Sequence, residues 1–301
     1  MGSLGAHALL GLIWLLHLLP LGVQAFLGRM LGRLMHALAG SRRRVAQRNV
    51  ELCLPELGKD QRQALVREHF QWLARSLLER AVLWHASPER LRRLIRVEGD
   101  IHLAEREAAK PAAERRAVMW LVPHFLAVDV AGASTQLFQQ HRGFDVYAPQ
   151  SNAVLDKALL DGRARFGTAD FYSKKDGARP IVRAIKAGHA FFNPCDMDFG
   201  LRDAAFVPFF GQLAATLLAP SRMARAYGML VQPVVARMLP GGEGYVVEFL
   251  PPWTDWPTDD PQADAARMNR FIEEQIRRCP AQYLWVHRRF KTRPPGEPSL
   301  Y

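Results

Sequence analysis

The sequence predicts an α/β fold, with a mostly parallel central sheet flanked by helices and an N-terminal hydrophobic membrane anchor helix before it. Short apolar or aromatic runs alternate with helical segments, and 49% of the 301 residues are hydrophobic, which is enough for a sizeable core. The anchor is predicted because the first 27 residues carry no charged side chain. We expect residues 1–40 to form the anchor and its basic flank, and residues 41–301 to form the α/β domain.

The N-terminal apolar run has the length of a bilayer-crossing segment. "ALLGLIWLLHLLPLGVQAFLG" contains no charged residue, and a membrane-spanning helix needs about 20 apolar residues. Arginines follow the run instead of preceding it, which favours a retained anchor over a secretory signal and places the body on the cytoplasmic side. Because His17 and Pro20 interrupt the run, a clean span, a kinked helix and a re-entrant helix all stay open. A helix buried in the core of the body is the remaining alternative.

The charge of the chain indicates an anionic partner. Forty Lys plus Arg against 29 Asp plus Glu give a formal net charge of +11. Arginines beside an apolar segment attract anionic lipid headgroups by about 1 kcal/mol each. The basic residues are dispersed and no zinc-finger spacing or RNA-recognition signature accompanies them, so we expect no nucleic-acid binding. Cys53, Cys195 and Cys279 match no paired zinc spacing, which predicts reduced thiols and no metal site.

Helices are predicted from apolar spacing and capping residues. Residues 60–84 carry leucines and aromatics at helical spacing after a capping aspartate. Ser87–Pro88 opens the next helix, and residues 104–116 read as an exposed helix and loop. Two later helices are marked by a C-terminal stop at Gly188 and by an N-cap and first residue at Asp260–Pro261.

Six short apolar or aromatic runs predict the strands. They are residues 117–122, 144–148, 169–173, 189–193, 230–239 and 244–250. Helical segments lie between most of them, which favours parallel pairing. The last two runs are joined by a short glycine-rich turn, which predicts an antiparallel edge.

A histidine directly after the first strand is the main catalytic candidate. In "VMWLVPHFLAVDVAG", His124 lies at the carboxyl end of a buried strand, where open α/β sheets bind their ligands. In one continuous helix, Asp129 would point about 140° away from it. If Pro123 and the strand end make a turn, the Asp129 carboxylate can reach one imidazole nitrogen and leave the other to take a proton from a hydroxyl. A structural histidine beside an unrelated aspartate is the alternative.

With these motifs in this order, the chain resembles the lipid A biosynthesis lauroyl/myristoyl acyltransferases, which belong with the glycerolipid-type acyltransferases and their His-x4-Asp/Glu hallmark. The resemblance covers nearly the whole chain: the apolar N-terminus, "RRRVAQRNVELCLPEL", "PHFLAVD", "DMDFG" followed by "FVPFFG", and "QYLWVHRRFKTRPPGEPS". It implies a glycerol-3-phosphate acyltransferase-like fold and an enzyme at the cytoplasmic face of the inner membrane. Such an enzyme, like the Kdo-lipid IVA acyltransferases, would move a fatty acyl group from acyl carrier protein to a hydroxyl of a lipid A precursor.

The resemblance also implies a mechanism. An acyl thioester is already activated, so the enzyme needs a base for the acceptor hydroxyl, donors for the oxyanion and a pocket for the chain, with no metal and no cofactor besides the acyl carrier protein co-substrate. His124 would be the base, and Asp129 would orient it. Backbone amides at the start of the following helix would contribute to the oxyanion site.

A second acidic motif is implied further along the chain. Asp196, Asp198 and Gly200 would order the site or contact the sugar headgroup, with a solvated turn as the alternative. Phe209 and Phe210, in "FVPFFG", would form a wall for the acyl chain or else belong to the ordinary core.

Two positions depart from the family's pattern. Pro123 stands where the family has Asn, and Ala148 stands where it has Arg. Because Arg suits a phosphate or an oxyanion and Ala does not, Arg142, Arg163 and Arg165 are the candidates to replace it. The departures leave open a paralogue that acylates another lipid or hydroxylated metabolite, and a catalytically silent lipid-binding scaffold. Acyl chain length, acylated position and oligomeric state are not predicted.

Overall fold

The structure, a computed structural model, describes residues 2–301, so only Met1 of the predicted anchor segment lies outside the described part. The strands are β1 (Ile95–Gly99), β2 (Val118–Val122), β3 (Gly143–Tyr147), β4 (Ala169–Ser173), β5 (Ala190–Pro194), β6 (Ala204–Phe209), β7 (Gln212–Leu217), β8 (Leu230–Met238) and β9 (Tyr245–Phe249). The helices are α1 (Ser3–Leu16), α2 (Leu21–Leu38), α3 (Gly40–Cys53), α4 (Lys59–His85), α5 (Pro88–Leu94), α6 (Leu103–Ala109), α7 (Val128–Leu137), α8 (Ala153–Ala164), α9 (Ala178–Lys186), α10 (Ala219–Ala226) and α11 (Pro261–Arg278).

The central sheet is mostly parallel, as the alternation of strands and helices predicts. Of the nine strands within residues 2–301, seven form one sheet in the order β1-β9-β8-β2-β5-β3-β4, and β6 and β7 form a separate antiparallel hairpin. The five strands from β8 to β4 are parallel. The last two predicted runs do pair antiparallel, as β8 and β9, but β1 adds parallel to β9. The predicted antiparallel strand is therefore covered and does not form the edge.

Each face of the sheet buries its own apolar cluster. All five residues of β2 are buried, which is typical of a strand covered on both sides. Met119 and Leu121 point to one cluster, to which α9 and α11 contribute. Trp120 and Val122 point to the other, to which α7 and the end of α4 contribute. We call these the α11 face and the α7 face.

The predicted capping residues are confirmed at two helices. Ser87 Oγ accepts a hydrogen bond at the start of α5, and Asp260 Oδ1 accepts two backbone amides at the start of α11. At α4 the cap lies two residues earlier than predicted. The helix begins after Gly58, whose amide donates to the Gln61 side chain at 2.8 Å, and Asp60 lies inside its first turn.

The N-terminal apolar run does not form the predicted anchor helix. α1 ends at Leu16 and α2 begins at Leu21, because Pro20 has no amide hydrogen to continue the first helix. The 14 residues of α1 span about 21 Å, whereas the hydrocarbon core of a bilayer is about 30 Å thick. α2 carries Arg29 and Arg33. No helix in the described chain is both long and apolar enough to cross a membrane, so the predicted membrane anchor is wrong.

α2 instead packs closely along α4. A Cβ atom on Gly32 would lie 2.4 Å from the Cα of Gln71, and one on Gly28 would lie 2.6 Å from Cγ of Arg75. These two glycines, one turn apart, allow the helix backbones to approach each other.

Candidate active site

His124 lies at the carboxyl end of β2, where the chain turns toward α7. Its ring Nδ1 is 2.6 Å from Asp196 Oδ1, and its backbone amide donates to both oxygens of the same carboxylate at 3.0 and 3.1 Å. Asp196 follows β5, the neighbour of β2, and the parallel register that pairs Val122 with Pro194 brings the two strand ends together. The sheet therefore positions two side chains that are 72 residues apart in sequence.

The surroundings of this pair suit a role of His124 as a base, with Nδ1 in a hydrogen bond and Nε2 available to accept a proton. The His124 side chain is 19% exposed and that of Asp196 is 1% exposed. Burial opposes ionisation of Asp196, but the charge and hydrogen bonds of His124 outweigh it, so the pKa of this carboxyl is lowered. An ionised carboxylate holds the ring proton on Nδ1. Nε2 then has a lone pair, and it forms no hydrogen bond with any residue that the structure describes.

Asp129 pairs with two arginines and not with His124. Its Oδ2 accepts from Nε of Arg80, on α4, at 3.0 Å, and its Oδ1 lies 2.7 Å from Nη2 of Arg163, on α8. Burial would raise the pKa of Asp129, but the two guanidinium groups lower it far below its ordinary value. The turn that would bring Asp129 back to the imidazole does form after β2. However, α7 begins there with Asp129 directed toward α4 and α8. Asp196, and not Asp129, is the hydrogen-bond partner of Nδ1.

Of the three arginines expected to replace the missing cation, Arg163 alone joins this cluster. Arg142 pairs with Asp170, with Nε 2.8 Å and Nη2 2.6 Å from its carboxylate oxygens. Arg165 donates to backbone carbonyls at the end of α4 and so holds that helix terminus. Arg163 binds Asp129, and the charges of Asp129 and of Asp145 both raise its pKa.

Asp145 is a site residue that the sequence reasoning missed. It lies in β3, beside β5, and burial raises its pKa to about 6, although Arg163 and His124 favour the ionised form. The signal was present, since an acidic residue inside the predicted strand "FDVYA" is unusual for a buried run.

The C-terminal segment encloses the pair from another side. The Leu284 amide donates to the His124 carbonyl at 3.1 Å, and the Asp198 amide donates to Nε2 of His287 at 3.0 Å. Burial lowers the pKa of His287 to about 4, so its neutral ring can accept this bond. The Asp198 carboxylate accepts from both the amide and the hydroxyl of Thr292 at 2.7 Å. Asp198 thus fastens its loop to the C-terminal segment, whose aromatic and basic pattern does not by itself predict this role.

The remaining predicted binding residues lie in two turns and in the apolar core. Gly200 has a φ of +90° and donates to Asp198 at 2.9 Å, so it closes the turn after the second acidic motif. Phe209 is fully buried in the α11-face cluster, which is the ordinary-core alternative. Phe210 and Gly211, with φ of 51° and 75°, form the two-residue turn between β6 and β7.

The backbone amides at the start of α7 are mostly engaged. Those of Phe125, Leu126 and Val128 donate to the carbonyls of Pro123, Gln282 and Phe125. The predicted oxyanion contribution from this helix start therefore lacks these three donors.

In the part of the chain that the structure describes, neither the cysteines nor the metal-binding residue types form a second centre. Cys195, next to Asp196, is buried, and burial raises the pKa of its thiol well above the ordinary value, which makes it a poor nucleophile. Within residues 2–301 there is no group of three or more histidine, cysteine, aspartate or glutamate side chains placed to hold a metal ion.

Comparison with known proteins covers almost the whole chain. Residues 2–292 match the sequence profile of a family described as bacterial lipid A biosynthesis acyltransferase. The chain is 34% identical over 293 residues to the lipid A biosynthesis lauroyltransferase of Escherichia coli (strain K12), which covers 97% of this chain and 93% of that one. The lipid A biosynthesis palmitoleoyltransferase of the same strain is also 34% identical, with 97% and 92% covered. A lipid A biosynthesis acyltransferase of Haemophilus influenzae is 30% identical over 288 residues, with 94% and 89% covered.

Proposed function

Because the chain belongs to the bacterial lipid A biosynthesis acyltransferase family and is an acyltransferase, we propose that it transfers a fatty acyl chain from acyl carrier protein to a hydroxyl of a lipid A precursor. The observation that carries the proposal is the His124–Asp196 pair at the carboxyl end of the parallel sheet. One ring nitrogen is held by a buried carboxylate, and the other is available to a substrate.

The proposed reaction needs no covalent enzyme intermediate. His124 Nε2 takes the proton of the acceptor hydroxyl as its oxygen attacks the thioester carbonyl. The C–S bond then breaks, the ester remains on the lipid, and the imidazolium returns the proton to the leaving thiolate. Asp196 is a positioning residue, which holds the ring orientation and stabilises the imidazolium while it exists.

Asp129 has a supporting role in this proposal. With Arg80 and Arg163 it joins α4, α7 and α8, five residues after His124 in the chain. Arg163 also places a cation near Asp145, a carboxyl group that interacts electrostatically with His124 as well.

The enzyme is proposed to work at the cytoplasmic face of the inner membrane by contact with the bilayer surface. Large apolar side chains are exposed along α1, α2 and the turn that joins them: Leu4, Leu9, Leu12, Trp14, Leu15, Leu18, Val23, Phe26, Leu27, Leu34 and Leu38. So many exposed large apolar side chains in one stretch of the chain are typical of a lipid or protein contact. Interfacial helices bind by inserting this kind of face, and anionic lipids would add attraction for the nearby arginines.

The test is product formation by purified protein in detergent, with lauroyl-acyl carrier protein as donor and a lipid A precursor as acceptor, followed by mass spectrometry. Wild-type protein should add one acyl mass to the glycolipid, and His124→Ala protein with unchanged circular dichroism should add none. Equal turnover by the folded His124→Ala protein would refute the mechanism. Binding of the glycolipid without any transfer by the wild type would favour the silent scaffold.

A further inference from the structure

A strongly basic surface lies beside the candidate active site. Five exposed cations, which we call the α9 surface, occupy α9 and the turn before it: Lys174, Lys175, Arg179, Arg183 and Lys186. None of them forms an ion pair with a carboxylate in the part of the chain that the structure describes. The single acidic residue within this segment, Asp176, accepts the Ser173 amide at 2.8 Å. The positive charge of the α9 surface is thus available to bind an anionic partner.

The orientation of α9 makes this charge continuous. Arg179, Arg183 and Lys186 follow one another at helical spacing, so they lie along one side of the helix. Ala184 and Ile185 are buried in the α11-face cluster, so the side of the helix that carries the cations faces outward. Ala178 and Val182 lie between the cations and, with them, line a shallow groove. An acidic helix that also presents an apolar side chain would be complementary to such a surface.

The α9 surface is connected to the active-site loop. The Lys174 Nζ atom is 3.5 Å from the ring centroid of Phe199, which is 45% exposed. Phe199 comes three residues after Asp196, the carboxylate that holds His124. A macromolecule on the α9 surface would therefore lie next to the loop of the reacting groups, within reach of a long flexible thioester arm.

The position of α9 argues against a membrane as the occupant. α9 packs on the α11 face of the sheet, whereas α1, with its exposed leucines, contacts α4 and α8, and α8 packs beside α7. The basic surface and the apolar helix α1 are thus on opposite faces of the sheet. A protein partner can therefore bind the α9 surface while α1 contacts lipid.

Resting on the proposed function, we propose that the α9 surface is the docking site of the acidic acyl carrier protein that delivers the thioester. The expected contact is salt-dependent, since exposed charges steer association and are screened within about 8 Å at physiological ionic strength. It determines the affinity for the carrier and leaves the chemistry at His124 unchanged.

The experiment compares two charge-reversed triples with the wild type. The first is Arg179→Glu with Arg183→Glu and Lys186→Glu, and the control is Lys59→Glu with Arg67→Glu and Arg270→Glu, three exposed cations on other helices. Both change the net charge equally. With lauroyl-acyl carrier protein as donor, the first triple should raise KM at least about tenfold with kcat unchanged, and the control less than about twofold. With lauroyl-pantetheine, which lacks the carrier, both should match the wild type.

Direct binding separates this inference from the proposed function. The Kd of lauroyl-acyl carrier protein, measured by surface plasmon resonance at fixed salt, should rise with the first triple whether or not turnover is observed. A wild-type KM and Kd in that triple would overturn the docking site. Loss of binding to phosphatidylglycerol vesicles by the same triple, with KM and Kd unchanged, would overturn it in favour of a lipid contact. Absence of wild-type transfer from either donor would count against the proposed function alone.

Discussion

At the scale of single residues, the Asp196 and Asp129 carboxylates have different roles because they have different partners. Asp196 contacts an imidazole that is partly exposed, and Asp129 contacts two guanidinium groups. The first arrangement can take up and return a proton, because the imidazole has a second nitrogen with a lone pair. The second is a permanent set of charges, because arginine stays protonated.

Asp129→Asn should therefore act mainly on stability. The substitution leaves the Arg80 and Arg163 guanidinium groups without their shared carboxylate, and breaking a mostly buried pair costs about 3 kcal/mol. Urea unfolding of the purified proteins measures this change. Asp161→Asn is the control, since its pair with Lys157 is exposed and should contribute less than about 1 kcal/mol. Equal stability of the two variants would contradict the supporting role of Asp129.

Asp145 should make stability fall as pH rises. Its pKa is raised to about 6 in the folded protein from 3.8, so the folded state binds more protons between these values. Its contribution is fully present below pH 3.8 and is lost as pH rises through about 6. Asp145→Asn removes this loss. Between pH 4 and pH 7, the free energy of unfolding of the variant should therefore rise by about 2 kcal/mol relative to that of the wild type. Urea unfolding at several pH values checks this, and a pH-independent difference would refute it.

The sequence could predict the position of His124 but not its partner. A buried run followed by Pro and His indicates a strand end from local pattern alone. The choice between Asp129 and Asp196 depends on which strand lies beside β2, and that neighbour, β5, is distant in sequence. Local spacing therefore favoured the nearer carboxylate.

At the scale of elements, most helices and strands follow their sequence patterns. The six predicted strands are all present within about one residue of their expected bounds, and the α5 and α11 caps are confirmed. β1 was missed because "IRVEG" directly continues a charged helix and has only two apolar residues. β6 and β7 were missed because their "FVPFFG" pattern suggested a core or an acyl wall, and the turn at Phe210 and Gly211 is not a common hairpin dipeptide.

The contact between α2 and α4 gives an element-scale prediction. Gly32→Ala places a Cβ atom 2.4 Å from the Gln71 Cα, and backbone cannot yield locally, so the two helices must separate. We expect a loss of about 1–3 kcal/mol in the free energy of unfolding, despite the better helix propensity of alanine. Gly11→Ala in α1 is the control, because no heavy atom lies within 4 Å of its added Cβ, and it should be neutral or stabilising. Similar losses in both variants would show that the close approach is not the cause.

At the scale of the whole molecule, hydropathy and structure give different answers for the N-terminus. The apolar run is long enough to suggest a span, but Pro20 divides it, and α2 turns its glycine side to α4. Window hydropathy cannot detect such a division, because it averages over the break. The apolar surface that results is shared between two short segments.

Contact of that surface with lipid is testable by co-sedimentation. Leu12→Asp with Leu15→Asp replaces side chains that are 54% and 56% exposed on α1. Burying a leucine is worth about 1.5–3 kcal/mol, so loss of two should lower partitioning into phosphatidylglycerol vesicles at least about tenfold. Leu201→Asp with Leu213→Asp, at exposed leucines outside α1 and α2, is the control and should retain binding. Equal sedimentation of both double variants would refute the proposed lipid contact.

The central claim is that Asp196 positions the base His124, and the kcat of Asp196→Asn beside that of Asp129→Asn tests it most directly. Both rates should be measured with lauroyl-acyl carrier protein and a lipid A precursor, and corrected for the folded fraction. The amide oxygen of an asparagine can accept a hydrogen bond from Nδ1–H but cannot stabilise an imidazolium by charge. Asp196→Asn should therefore lower kcat by about 10²–10⁴-fold with KM for both substrates unchanged. Folded Asp129→Asn protein should keep kcat within about tenfold of the wild type. A wild-type kcat in Asp196→Asn, together with a large loss in folded Asp129→Asn, would contradict the assignment.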